Sequence, residues 1–99
     1  MTDKLEKCEG FDWDDDNLFK NETKHDVTWI ECEQIFFNKP FIINDDFAHG
    51  DSEDRYLALG RTDHGRRLFL VFTIRKNHMR VISARDMTKR EKGHYEKYR

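Results

Sequence analysis

The chain is poor in the residues that break, staple or anchor a fold. Its 99 residues hold one proline (Pro40), five glycines and two cysteines. Cys8 and Cys32 have no C-x-x-C spacing, which disfavours a zinc site or a redox pair and leaves two reduced thiols as the plain reading. No stretch approaches the roughly 18 apolar residues that a membrane span needs. Met1 leads into Thr-Asp-Lys and not into a basic segment followed by an apolar one. The expectation is a soluble, unsecreted, cytoplasmic protein. At this length there is room for one hydrophobic core, so residues 1–99 read as a single domain, with 1–9 weakly ordered. With 36% hydrophobic and 38% charged residues that core is small, and eight Phe, three Tyr and two Trp must supply much of it.

Arginine is missing from the first half altogether. Residues 1–50 carry five lysines against thirteen acids, a net charge of −8. Residues 51–99 carry thirteen Lys or Arg against seven acids, a net of +6. The whole-chain value of −2 conceals this. All nine arginines, with the rigid fork suited to phosphate, fall in the second half. The asymmetry points to a polyanion or an acidic partner, or else to solvated faces that pair between the halves.

Local patterns give an α+β order. Phe11-Asp12-Trp13 alternates like a short strand, and Asp14, Asp15 and Asp16 favour a helix N-terminus, predicting a first helix from about Asp14 to Lys24. Asn17, Asn21 and Lys24 share one of its faces. His25-Asp26-Val27 is then a tight corner. Thr28-x-x-Glu31 is a capping box, and Trp29, Cys32, Ile35 and Phe36 recur at helical spacing, so a second helix runs to about Phe37. From Phe41 the period becomes extended. Strands are expected at 41–43, 55–61, 68–74 and 79–85, with a polar loop over 44–53, a turn at 62–65 and another at 75–78. These form a four-stranded antiparallel meander. Thr88-x-x-Glu91 opens a C-terminal helix whose thin apolar stripe is Met87, Tyr95 and Tyr98.

Strict alternation in the last strand puts Arg80, Ile82 and Ala84 on one face and Met79, Val81, Ser83 and Arg85 on the other. Arg80 would then lie against a helix or line a cleft, and Arg80 and Arg85 would face opposite ways unless a bulge intervenes.

Several segments together resemble a known family. Asn21-Glu22-Thr23-Lys24-His25-Asp26-Val27-Thr28-Trp29 is similar to the N-x-x-K-H-G-V-S-F segment of BrnT-type toxins, and Phe11-Asp12-Trp13-Asp14 to their opening F-x-W-D. Glu53-Asp54-Arg55-Tyr56, Arg80-Val81-Ile82-Ser83-Ala84-Arg85, Arg90-Glu91 and Tyr95-Glu96 match later stretches, so the resemblance covers about residues 11–96. Asp26 stands where the family has Gly, Cys32 where it has Ala, and His94 where it has a basic residue. The resemblance implies a RelE-like fold and a metal-independent endoribonuclease toxin of a bacterial type II toxin-antitoxin pair. It also implies neutralisation by a BrnA-type antitoxin that carries its own DNA-binding domain. No cofactor and no direct binding to DNA are expected of this chain.

That chemistry needs cations around a pentacoordinate phosphate and a route for two protons. The residues expected to supply it are Lys24, Arg55, Arg80 and Arg85 for phosphate, with Arg80 the leading clamp, and His25 as a proton carrier. RNA contacts are expected from Trp13, Asn21, Arg61, Arg66, Arg67 and Tyr95. Core packing is the better reading of Trp13 and Tyr95, and a His at a helix corner such as His25 is about as often a structural cap. His49, His64 and His78 fall in turns near Asp45, Asp46, Asp51 and Asp63, but no H-x-H or i, i+4 pair exists, so solvated loop polarity is the better reading than a metal site. A non-cleaving RNA-binding module and an antitoxin-binding regulator remain as alternatives to the enzyme.

Overall fold

The computed structural model describes residues 8–13, 25–46 and 55–98. The expected first helix, with Asn17, Asn21 and Lys24, and the 47–53 part of the expected loop lie outside the described residues. The elements in chain order are β1 (Gly10–Phe11), α1 (Trp29–Gln34), β2 (Ile42–Asp46), β3 (Arg55–Arg61), β4 (Arg67–Arg75), β5 (His78–Asp86) and α2 (Lys89–Glu96).

The meander β2-β3-β4-β5 is antiparallel throughout, as its alternation predicts. One strand changes the sheet from the expected one. β1 runs parallel to β5, pairing Gly10 with His78 and Phe11 with Met79, so the sheet is mixed and five-stranded with order β1-β5-β4-β3-β2. β2 is also displaced: it starts at Ile42 and takes in Asn44–Asp46, which the sequence suggested as loop.

Alternation sets the two faces. Tyr56, Ala58, Leu68, Leu70, Phe72, Met79, Val81 and Ala84 turn to one side and form the core with Val27, Cys32 and Ile35 of α1 and its flanks. Phe36 seals it, meeting the rings of Phe72, Phe11 and Phe41 at 5.3, 5.2 and 5.0 Å. Cys32 is fully buried. Burial, helped by the charges of Glu31 and Glu33, pushes its thiol pKa up to about 12, so it is a small core residue without thiolate character. Cys8 and Cys32 are both free thiols.

Both capping boxes form, with the Thr hydroxyls of Thr28 and Thr88 accepting from the backbone N–H of Glu31 and Glu91. α1 is shorter than its apolar spacing suggests and ends in tight turns, Phe36 N–H to Glu33 O and Phe37 N–H to Gln34 O. Trp29 is not part of the buried stripe but exposed, and Tyr98 likewise leaves the stripe of α2. α2 lies on the sheet face opposite α1. Its Glu96 and Glu91 bond Arg67 and Arg85, which alternate away from the core, and its Tyr95 is fully buried.

Gly60 lies directly against Ile35, the residue that caps the C-terminus of α1. A Cβ built there would meet Ile35 Cβ at 2.8 Å and Ile35 O at 3.2 Å. Gly60→Ala must push the helix outward and is expected to cost about 1–3 kcal/mol, read as a lower midpoint in denaturant. Ile35→Val removes Cδ1, which the new Cβ would also meet at 3.2 Å, but leaves the Cβ and carbonyl contacts, so it should relieve only a minor part of that cost. An unchanged midpoint for Gly60→Ala would mean that the contact is soft.

Candidate functional site

The face of the sheet away from the core is basic. Arg55 and Arg61 on β3, Arg67 and Arg75 on β4, and Arg80 and Arg85 on β5 all alternate to it. Arg80 and Arg85 share it because the β4–β5 register shifts between Val71 and Phe72. Val71 is opposite Ser83 and Phe72 opposite Val81, leaving Ile82 as an extra residue. The strict alternation expected from the sequence is therefore corrected. Arg80 points away from Ala84 and the α1 side, onto the same face as Arg85.

These arginines fall into two groups. One is tied into the fold. Arg85 bonds both carboxylate oxygens of Glu91 at 2.8 and 3.0 Å, with its guanidinium 4.0 Å from the Phe69 ring centroid. Arg67 bonds Glu96 at 2.9 Å and the Gly65 carbonyl, and lies over Tyr95. Arg61 donates to Lys39 O at 2.8 Å. Tyr95 is wholly buried and its hydroxyl donates to Pro40 O at 2.6 Å, so this phenol serves packing in the structure. Trp13 packs on Phe11 and donates to Glu33 at 2.9 Å.

Arg66, at the β3–β4 turn, is the most connected residue. It donates to both oxygens of Asp86 (2.7 and 3.1 Å), to both of Glu31 (3.2 and 3.1 Å), and to the carbonyls of Asp26 (2.7 Å) and His25 (3.2 Å). Those bonds raise the guanidinium pKa, the Asp86 bonds foremost. Asp86 is lowered first by the Arg66 hydrogen bond. Burial pushes Glu31 up, but bonds from Thr28 and Arg66 and the Arg66 charge outweigh it and hold Glu31 low. The corner that Arg66 grips includes Asp26 at φ 54, a left-handed conformation that Asp tolerates better than most residues.

The second group sits at the opposite end of β5. Thr73 pairs with Arg80 and Arg75 with His78, while Arg55 stands one step beyond the Tyr56–Phe72 pair, beside Thr73. Arg55 and Arg80 thus flank Thr73 from the two adjacent strands, with Cα atoms about 10 Å apart across two strand spacings. That is within reach of two guanidinium groups converging on one phosphate. Asp12 Oδ2 lies 3.8 Å from Arg80 Nη1 as a loose ion pair. A groove of about 580 Å³ opens here, lined by Phe11, Asp12, Arg75, Lys76, His78 and Arg80. Among the described residues, no group of three or more His, Cys, Asp or Glu is placed to hold a metal, and no helix is long and apolar enough to cross a membrane.

The structure thus brings Arg55 and Arg80 together and sets His25 apart, beside Asp86, whose carboxylate its charge influences. Arg80 and Asp86 are six residues apart on β5, about 20 Å. His78 and Arg75 were not singled out for this site by the sequence reading. The signal available for them was the i, i+2 spacing of His78 and Arg80.

The family profile of the BrnT ribonuclease toxins of type II toxin-antitoxin systems matches residues 13–91. The chain belongs to the BrnT family. No curated protein matches the sequence. As a BrnT-family ribonuclease toxin the chain has RNA as its substrate and an antitoxin as its partner.

Acid titration tests the Arg66 network. Glu31 and Asp86 have lowered pKa values in the fold, so their stabilisation is present above the unfolded values of 4.5 and 3.8 and is lost as pH falls through the folded ones. Arg66→Met should cost on the order of 2 kcal/mol at neutral pH and flatten the loss of stability below pH 4.5. Equal slopes in both proteins would remove Arg66 as the cause.

Proposed function

We propose that this BrnT-family chain is a metal-independent endoribonuclease on a RelE-like fold, inhibiting translation and growth by cutting RNA. The observation that carries this reading is the pair Arg55 and Arg80 flanking Thr73 on a face with six strand-borne arginines. In the reaction the ribose 2′-hydroxyl attacks the adjacent phosphorus, and the dianionic pentacoordinate transition state carries more charge than the substrate. Fixed guanidinium groups stabilise it more than the ground state and so accelerate the step. Arg80 acts as the clamp and Arg55 as its partner across Thr73, while Arg85, held by Glu91, lies five positions further along β5. His25, with Lys24 before it in sequence, lies toward the other end of β5, so an RNA strand running along β5 would meet both clusters.

The partner we propose is a BrnA-type antitoxin with its own DNA-binding domain, joining this chain in a hetero-oligomer in the cytoplasm. It inhibits by covering the arginine face with acidic and apolar groups, burying on the order of 1,600 Å² or more. Association should therefore slow as salt rises, and a rate constant indifferent to salt would argue against electrostatic steering.

The test of cleavage is at Arg80. Arg80→Lys keeps the charge but loses the bidentate fork. It should lower single-turnover cleavage roughly 10- to 100-fold, about 1.4–2.7 kcal/mol, with little change in RNA affinity. Arg80→Ala should cost more. Circular dichroism checks that each variant folds. Wild-type cleavage by folded Arg80→Ala would shift the clamp to Arg55, and salt-dependent RNA binding with no product would mark a non-cleaving binder.

A further inference from the structure

We infer that His78 is the general base of this site, taking the 2′-hydroxyl proton on Nε2. The inference rests on the ribonuclease reading and adds the group that receives the proton. His78 opens β5 and sits two residues from Arg80 on the same face, about 7 Å away along the strand. It lines the same groove as Arg80.

Its ring is fixed in a usable form. Nδ1 lies 2.9 Å from the Lys76 carbonyl oxygen. A carbonyl only accepts, so Nδ1 carries the hydrogen and the lone pair is on Nε2. None of the described residues donates to Nε2. Beside the ring is Gly10, paired with His78 across β1–β5, where even a Cβ would stay 3.9 Å from His78 Cδ2. The half-buried ring lines the groove itself. The turn that holds the accepting carbonyl is the two-residue loop Lys76–Asn77, with φ values of 49 and 63. Both central residues are left-handed, as a tight hairpin matched to the sheet twist requires. Among the described residues, the charged groups around the ring are Arg75 on β4, Lys76 in the turn, Arg80 on β5, Asp12 just after β1, and Glu9, whose backbone N–H donates to Asn77 O at 2.6 Å.

The step balances with water as co-reactant. Nε2 accepts the 2′-hydroxyl proton as the O2′–P bond forms. The P–O5′ bond breaks, and the departing 5′-oxygen takes a proton from water. The hydroxide so formed removes the proton from Nε2, leaving a 2′,3′-cyclic phosphate and a free 5′-hydroxyl. Arg80 and Arg55 hold the phosphate oxygens throughout.

The experiment is single-turnover cleavage of RNA by the full chain, freed of antitoxin, across pH 5–9. His78→Ala should slow cleavage at least about 100-fold, abolish the fall in rate towards acid pH, leave RNA affinity within about twofold, and regain activity when imidazole is added. His78→Asn, which keeps a donor for the Lys76 carbonyl, should be folded and equally slow. A folded His78→Ala that cleaves at the wild-type rate with its acid limb intact overturns the assignment while the ribonuclease reading stands. So does loss of that limb in His25→Ala alone. A wild-type chain that cleaves no RNA overturns both.

Discussion

One extra residue in β5 decides which face of the sheet carries charge. With Ile82 bulged out of register, Met79 and Val81 before it and Ala84 after it can all point into the core. Arg80 and Arg85, five positions apart, then both point out of it. Without the bulge one end of β5 would put arginine where α1 packs, and an uncompensated guanidinium in that layer would cost several kcal/mol. Bulges persist where they aim a side chain, and here the aimed side chain is Arg80.

Among the described residues, ion pairs form both between the two halves of the chain and within the basic one. Arg66 with Glu31 and Arg80 with Asp12 cross the midpoint, but Arg66 with Asp86, Arg67 with Glu96 and Arg85 with Glu91 lie within the basic half. The arginines near the β3–β4 turn act as polydentate ties, which a lysine with one point charge could not imitate. Those at the β4–β5 turn line a groove in which, among the described residues, Asp12 is the acidic one.

Much of the fold was legible because it is locally encoded. The bounds of β3 follow from a clean alternation, both helix starts from Thr-x-x-Glu boxes, and the β3–β4 turn from Thr62-Asp63-His64-Gly65, closed by Gly65 N–H to Thr62 O. Nonlocal features were not legible. The parallel pairing of β1 with β5 joins residues more than 60 positions apart, and nothing in Phe11-Asp12-Trp13 names that partner. The bulge leaves no compositional mark, so the faces of Arg80 and Arg85 followed only from the register. Of the candidate site, Arg55 and Arg80 were readable by residue type and family motif. His78 was read as loop polarity because its role depends on a tautomer fixed by a backbone carbonyl.

The Lys76–Asn77 loop also bears on the order in which the molecule assembles. Loop-closure entropy grows with the length of chain enclosed, and this is the shortest connection between paired strands in the sheet. The β4–β5 hairpin is therefore the cheapest pairing for an unfolded chain to nucleate, whereas β1 must close the longest loop of all. Thr73, Arg75, His78 and Arg80 lie on that one hairpin, so the groove's basic wall is brought into register by local contacts, while Phe11 and Asp12 reach it from the far end of the sequence.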